Sequence, residues 1–297
     1  MKDTNYIAAE VPKLKLFEGE RLLVIISLIG FALAAGIAIY IAMFGAIISP
    51  EGNVERAFSF DAAIAIFILS LATLLPVSGL SSRKRTRIRW FFIPATLFAY
   101  GVETLQQFRG INPRFPHAGT SLDTIVGISF GVDSLLIVIV TVLLAIPFFR
   151  KKPMNERPHL VLGIRYAFLS TMLAFAAGLW MIAISSRYTG VGGNIIVFHG
   201  LGFHALQALP LLGWLLERAS VEAIRARRRV HAGGIAWMIA IVLIGWQTVL
   251  GRTVFEMSIL PILAGAMLLI SVATIVISLL DLLKSQSVSK VHASSRP

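Results

Sequence analysis

The sequence contains no cysteine. This absence excludes disulfides, thiolate metal sites and iron–sulfur clusters held by this chain. Charged residues are also scarce, at 14% of the 297 residues, whereas soluble domains carry about a quarter. The shortage of charge excludes an ordinary soluble domain.

Long apolar runs are what the chain has in abundance. Hydrophobic residues make up 57% of the sequence and the mean hydropathy is +0.81. Because a helix of about 20 apolar residues spans a bilayer, the runs predict an all-α integral membrane protein, an eight-span transmembrane helical bundle. The predicted spans lie at about 22–48, 58–80, 90–108, 125–149, 160–184, 195–216, 233–250 and 257–282. Residues 1–283 would form this single bundle, and residues 284–297 a disordered polar tail.

The basic residues lie mainly on one side of the predicted membrane. The net charge of +12 does not indicate a nucleic-acid partner, because the basic residues stand in short clusters between the apolar runs. Segments on the side of the N terminus hold 21 of the 27 Lys and Arg residues, at 1–21, 83–89, 150–157, 218–229 and 284–296. By the positive-inside rule, both termini are predicted to be cytoplasmic. The expected partner is the lipid bilayer of the cell membrane.

Polar side chains inside the spans gather in the half that this topology places outside. On span 3, Glu103, Gln106 and Gln107 share one helix face by their i, i+3 and i+4 spacing. Polar residues inside a membrane are costly, so they are candidates for function by default. The pattern predicts a ligand site that opens to the outer face.

Further ligand-site candidates stand at the ends of spans 3 and 4. These are Arg109, Asp123 and Asp133. We expect Arg109 to pair with Asp123 or Asp133, and Glu103 to meet His204 across the bundle. Spacing does not tell which helices are neighbours.

Span 6 carries two histidines and a glutamine in an otherwise apolar stretch. On a helix, His199, Gln207 and His204 fall within one sector of about 140°. His199 and His204 are the candidate metal ligands, and Gln207 joins the ligand site. The alternative is that all three serve interhelical hydrogen bonding.

Four functions remain open at this point. The first is a binding or redox site for a metal ion or haem, held by one of the two histidines with Glu103 and Asp133 nearby. The others are a proton-coupled transporter of small solutes, an enzyme on a lipid-like substrate from the outer leaflet, and a structural protein. No motif identifies a cofactor or a catalytic residue. A weak likeness between the halves, with basic loops before spans 3 and 7, would suit duplicated four-span units.

Two segments carry a resemblance to a known family. The stretch from Glu103 to Gly110, followed by Thr120 to Asp123, and the helix from His199 to Leu216 resemble an uncharacterised family of bacterial multi-pass membrane proteins. Its pattern joins a Glu…Gln…Arg-Gly segment and a Thr-x-x-Asp element to a His-x4-His-x2-Gln-x2-Pro helix. That pattern often has His where this chain has Arg114. The resemblance implies a bacterial origin and no established activity.

Overall fold

The structure, a computed structural model, describes residues 16–150, 157–219 and 221–294, with side chains described as far as residue 287. These residues form eight α-helices and two short β-hairpins. The helices are α1 (Arg21–Phe44), α2 (Val54–Leu74), α3 (Ser82–Phe108), α4 (Ser121–Phe149), α5 (Pro158–Ala183), α6 (Ile195–Arg218), α7 (Ala223–Val249) and α8 (Ile259–Ser294). Antiparallel β1 (Ile47–Ile48) and β2 (Gly52–Asn53) join α1 to α2, and β3 (Tyr188–Thr189) and β4 (Gly193–Asn194) join α5 to α6. The predicted all-α class is confirmed.

Seven of these helices are long and apolar enough to cross a membrane. The exception is α3, which begins with the basic run 83–89 and carries polar side chains near its end. Large apolar side chains also cover the outside of the bundle, among them Leu143 on α4 and Leu280 on α8. Soluble proteins rarely expose such an extensive apolar surface. These features are consistent with a multi-pass membrane protein.

The eight helices form two units with the same order of elements. The first unit comprises α1 to α4 and the second unit α5 to α8, and each has its hairpin between its first two helices. Equivalent residues differ by 141 in number. With this shift the bounds of α3, Ser82–Phe108, coincide with those of α7, Ala223–Val249. The likeness that the basic loops suggested is therefore a duplication of a four-helix unit.

Hydrogen bonds repeat with the same shift. The side chain of Asn53 accepts the N–H of Glu55 at 3.0 Å and so caps α2, and Asn194 caps α6 through the N–H of Ile196 at the same distance. Such caps satisfy N–H groups that the first turn of a helix leaves free. Both units thus begin their second helix with the same device.

Glycines make the same close contacts in both units. Gly110 and Gly251, after the ends of α3 and α7, adopt φ angles of +74° and +70°. The hairpin glycine Gly52 presses against the end of α3, where a Cβ atom would lie 2.3 Å from the carbonyl oxygen of Gln107. Gly193 holds the equivalent position in the second hairpin. We call the end of the bundle that bears both hairpins the hairpin end.

The two units pack on each other through α2 with α6 and α4 with α5. The ring of Phe67 on α2 meets that of Phe203 on α6 edge-on, with 5.4 Å between centroids. Phe148 on α4 and Phe168 on α5 lie 5.5 Å apart by the same measure. The central apolar core therefore draws on both units.

Several predicted element boundaries are corrected by the structure. α3 and α7 begin at Ser82 and Ala223, well before the apolar runs at 90 and 233. The residues before these runs include several Arg and Lys, which are good helix formers and extend each helix toward its N terminus. α8 continues to Ser294, so the segment predicted as a disordered tail is helical as far as that residue. That segment contains no Gly or Pro before Pro297 to stop the helix. Residues 1–15, 151–156, 220 and 295–297 of the predicted bundle and tail lie outside the described residues.

The duplicated glycines give a test of the repeat. Gly110→Ala and Gly251→Ala should each lower the free energy of unfolding by at least about 1–2 kcal/mol, because a side chain disfavours positive φ. Gly101, inside α3 with open space beside it, provides the control: Gly101→Ala should be neutral or stabilising by up to about 1 kcal/mol. Thermal unfolding of the protein in detergent measures all three. A tolerated Gly251→Ala beside a damaging Gly110→Ala would contradict the shared geometry.

Candidate functional site

Three polar side chains lie buried near the last turns of α3. Glu103, Gln106 and Gln107 are 0%, 3% and 1% exposed. They share one face of the helix, as their spacing predicts. Buried polar groups are costly unless they are hydrogen-bonded, so the partners of these three side chains define the site.

Glu103 is held by a loop arginine. One carboxylate oxygen accepts a hydrogen bond from Nε2 of Gln107 at 3.1 Å, and the other lies 2.8 Å from Nη2 of Arg114. The Arg114 guanidinium also lies over the rings of Phe60 on α2 and Phe130 on α4, 5.2 and 5.3 Å from their centroids. Arg114 thus reaches from the loop 109–120 down between α2 and α4. The expected pairing of Glu103 with His204 is replaced by this ion pair.

Asp123 collects the second group of contacts. Its Oδ1 accepts from Nε2 of Gln106 at 3.0 Å and pairs with Nη1 of Arg109 at 2.6 Å. Its Oδ2 accepts from the N–H and hydroxyl of Thr120, each at 2.8 Å, which forms the capping box of α4. Of the two partners expected for Arg109, the structure selects Asp123. Asp133 lies deeper in α4, and its Oδ2 is buried with no hydrogen-bond partner among the described residues.

The loop 109–120 is tied to the first hairpin by Glu51. Its carboxylate accepts the backbone N–H of His117 at 3.0 Å and of Asn112 at 3.3 Å. Burial by itself would raise the pKa of Glu51, but hydrogen bonds from Asn112, Ala118 and His117 outweigh it and lower that pKa below its ordinary value. Glu51 is therefore charged at neutral pH and anchors the loop over the end of the first unit.

Asp61 on α2 is a buried acid that the sequence analysis overlooked. It is fully buried, and its Oδ2 accepts the hydroxyl of Thr104 on α3 at 2.8 Å. Its Oδ1 has no hydrogen-bond partner among the described residues. A signal existed, since Asp61 is the one acid within the apolar run 58–80.

His199 faces the boundary between the units. Its Nδ1 lies 2.7 Å from the carbonyl oxygen of Ala174 on α5, and its ring meets Phe203 edge-on at 4.8 Å. Because a carbonyl oxygen can only accept, Nδ1 carries a proton, and in the neutral ring Nε2 has the lone pair. Arg114 is near enough for an electrostatic interaction with His199.

His204 and Gln207 form a separate contact. His204 is exposed, and its Nδ1 lies 3.2 Å from Oε1 of Gln207. Nε2 of Gln207 donates to Oγ of Ser70 at 2.6 Å and so links α6 to α2. This arrangement separates the two histidines, which do not face a common ligand position. Across the described ranges, no group of three His, Asp or Glu side chains is arranged to hold a metal ion.

The second unit serves as an internal comparison for the site. Six polar side chains of the first unit stand where the second unit has apolar or small ones. The corresponding pairs are Asp61 and Gly202, Tyr100 and Ile241, Glu103 and Ile244, Thr104 and Gly245, Arg114 and Phe255, and Asp123 and Ala264. Gln106 is an exception to this contrast, because the equivalent residue of the second unit, Gln247, is also a glutamine. Nε2 of Gln247 donates a hydrogen bond to the carbonyl oxygen of Thr253 in the loop after α7.

The equivalent positions of the second unit form an ordinary apolar core. Ala240, Ile244 and Ala264 are buried together in one cluster. At these positions, therefore, the helices of the second unit pack through apolar side chains. The shared glutamine serves the fold, whereas the acids and arginines of the first unit are additions that the fold does not require.

No protein-family model matches this sequence, and neither curated proteins nor solved structures give a match. The resemblance to an uncharacterised bacterial family therefore stays a prediction.

A double-mutant cycle built from second-unit residues tests the central ion pair. Arg114→Phe should destabilise the protein by about 3–5 kcal/mol, because it leaves the buried Glu103 carboxylate without its cation. Glu103→Ile should cost less, about 1–3 kcal/mol, because Arg114, 41% exposed, can turn to solvent and only the amide of Gln107 loses its acceptor. The double variant should match Glu103→Ile.

Chemical or thermal unfolding of the four proteins in one detergent gives the coupling energy. Equal costs for the two single variants would contradict the assignment of Glu103 as the buried, dependent partner.

Proposed function

We propose that this chain is an eight-span protein of a bacterial cell membrane, with both termini in the cytoplasm. Seven helices have the required length and apolar character. α3 completes the set, because it is the equivalent of α7, which has both. The basic clusters alternate with the spans in the sense of the positive-inside rule. The hairpin end is then the outer end of the bundle.

Single introduced cysteines test this topology without background, because the chain has none of its own. Val191→Cys, in the fully exposed turn of the second hairpin, should react with a membrane-impermeant maleimide on intact cells. Lys84→Cys, at the exposed start of α3, should react only after the cells are permeabilised. The reverse labelling pattern would overturn the orientation, and equal labelling of both would overturn membrane spanning.

We infer that the outer end of the first unit binds a small ligand with an oxyanion, either a carboxylate or a phosphate group. The supporting observation is that exposed arginines are paired with buried carboxylates at this end. The side chains of Arg109 and Arg114 are 56% and 41% exposed, whereas their partners Asp123 and Glu103 are 2% and 0% exposed. Two partly exposed arginine side chains are therefore paired with two buried carboxylates.

This pairing of exposed arginines with buried carboxylates suits recognition of an anion from outside. A guanidinium has five N–H donors, and its carboxylate partner beneath occupies only part of them. The buried acids also fix the orientation of Arg109 and Arg114, so little freedom is lost when an oxyanion binds. The second unit has Leu250 and Phe255 at these positions. The paired arginines are thus specific to the first unit, which favours a ligand over a requirement of the fold.

The metal or haem hypothesis has weaker support. His199 offers one ring nitrogen, Nε2, as a ligand, while His204 is exposed and bonded to Gln207. Bis-histidine ligation would need both rings at one position. Transport or lipid chemistry remains compatible with the proposal, because either would begin by binding an anionic solute or head group at the outer face.

Ligand-dependent stability tests the oxyanion site. Inorganic phosphate and succinate, titrated into protein in neutral detergent, probe free solutes, and nanodiscs with or without phosphatidylglycerol probe a lipid head group. A site-specific ligand at about 100 times its Kd should raise the free energy of unfolding by about 2.7 kcal/mol. Arg109→Lys and Arg114→Lys keep the charge but lose the planar fork, so they should weaken this effect at least about tenfold.

Arg252→Gln is the matched control, because Arg252 is an exposed arginine at the same end, 58% exposed, outside the site. It should behave as the unmodified protein does. Stabilisation that is equal in the Arg109 and Arg114 variants, or absent with all probes, would overturn the oxyanion proposal. A stabilisation by haemin or Zn²⁺ that requires His199 would favour the metal or haem hypothesis in its place.

A further inference from the structure

Five buried side-chain oxygen atoms of the first unit have no hydrogen-bond partner within the described ranges. Two of them are Oε2 of Glu103, which is ion-paired with Arg114, and Oδ2 of Asp133, and the other three are Oδ1 of Asp61, the hydroxyl of Tyr100 and Oγ1 of Thr96. These last three residues are at most 2% exposed. An unsatisfied buried polar group costs about 1–3 kcal/mol. Such a group in a native structure calls for an explanation, and three in one unit do so more strongly.

Asp61 is the strongly acidic member of these last three. Thr104 donates to its Oδ2, and no basic side chain in the described part of the chain pairs with it. Tyr100 lies within electrostatic range of Asp61. The Tyr100 hydroxyl fills the space left by Gly30 on α1, where a Cβ atom would be 2.1 Å away. The acid and the phenol are therefore both buried where α1, α2 and α3 meet, and we call these buried positions the Asp61 pocket.

The charged and titratable groups around Asp61 come from two other elements. From α3, Tyr100 and Glu103 face it, and Glu103 is already paired with Arg114. From α4, Asp133 lies one turn beyond Phe130, which packs on Phe60 next to Asp61. From α1, the nearby residues are Ser27 and Gly30, which do not titrate. None of these groups supplies Asp61 with a free cation.

The second unit has no counterpart of this pocket. Asp61 corresponds to Gly202 and Tyr100 to Ile241, and the methyl end of Ile241 reaches within 3.0 Å of the position of a Gly202 Cβ atom. Thr96 corresponds to Trp237, whose indole N–H bonds Oγ of Ser170 at 3.2 Å. All three positions are thus apolar or satisfied there. The unsatisfied oxygens are not needed for the four-helix fold.

We propose that Asp61 is a reversible proton-binding site. A lone pair of Oδ1 takes a proton from hydronium and leaves water, so the buried carboxylate becomes a neutral acid. Protonation removes an uncompensated charge from the apolar bundle, and release returns the proton to water. Asp61 lies seven residues from the start of α2, or about 10 Å from the hairpin end, so that end is the nearer route for loading.

A proton fits this pocket better than a metal ion does. Mg²⁺ and Ca²⁺ require six or more oxygen ligands. Asp61 stands with hydroxyl neighbours, and the described residues contain no group of three acidic or His side chains at this place. A proton requires one lone pair, which Oδ1 of Asp61 offers. The proton site uses neither Arg109 nor Arg114, so it does not depend on the oxyanion proposal.

Infrared spectroscopy of the purified protein tests the proposal directly. A protonated buried carboxyl gives a C=O band that shifts in D₂O and whose area changes with pH. This band should be lost in Asp61→Asn, which resembles the protonated acid in shape and keeps an acceptor for Thr104. It should persist in Asp133→Asn, Glu103→Gln and Tyr100→Phe.

Fold retention and the alternative assignments are controlled separately. Asp61→Asn should be at least as stable as the unmodified protein. If Asp61→Asn is less stable, the measurement is made with Asp61→Gly, which has the residue of the second unit at this position. A band that survives both Asp61 substitutions, or that disappears with Asp133→Asn, would overturn the assignment. Phosphate binding by the Asp61 variants, measured in parallel, shows whether the oxyanion site fails independently.

Discussion

A carboxylate inside an apolar helix bundle loses its hydration, and the compensation of that loss organises one end of this protein. Glu103 and Asp123 are compensated by cations, and both cations come from outside the helices that carry the acids: Arg114 from the loop and Arg109 from the end of α3. Meeting this requirement draws the loop down between α2 and α4 and fixes the direction of two guanidinium groups. Asp61 has the hydroxyl of Thr104 as its one donor among the described residues, and its charge is compensated when it binds a proton, as we propose.

The duplication separates what the fold needs from what has been added to it. Both units use the same caps, the same left-handed glycines and the same glutamine at the end of their third helix. They differ where Glu103 corresponds to Ile244 and Asp61 to Gly202. Apolar packing at these positions is cheaper than a buried ion pair. The second unit therefore serves as an internal comparison, and against it the polar residues of the first unit stand out as differences at equivalent positions.

Local patterns predicted part of the site correctly. The shared face of Glu103, Gln106 and Gln107 follows from helix geometry, which depends on spacing alone. The pairing of Glu103 with His204 was wrong, because it required knowing which helices are neighbours. Asp61 was overlooked because a single acid in an apolar run stands out only when its surroundings are known to lack a cation. Helix starts were misplaced where basic residues extend a helix beyond its apolar run.

The sequence by itself determined the eight helices, their apolar character and the alternation of basic clusters, because these depend on run length and composition over short stretches. Only the tertiary structure decided that the halves repeat with a shift of 141 residues and that Arg114 reaches Glu103. It also decided that His199 and His204 serve different partners. The physical reason is that an ion pair depends on the path of a loop and on how helices pack side by side. Neither is encoded in the spacing of residues along one helix.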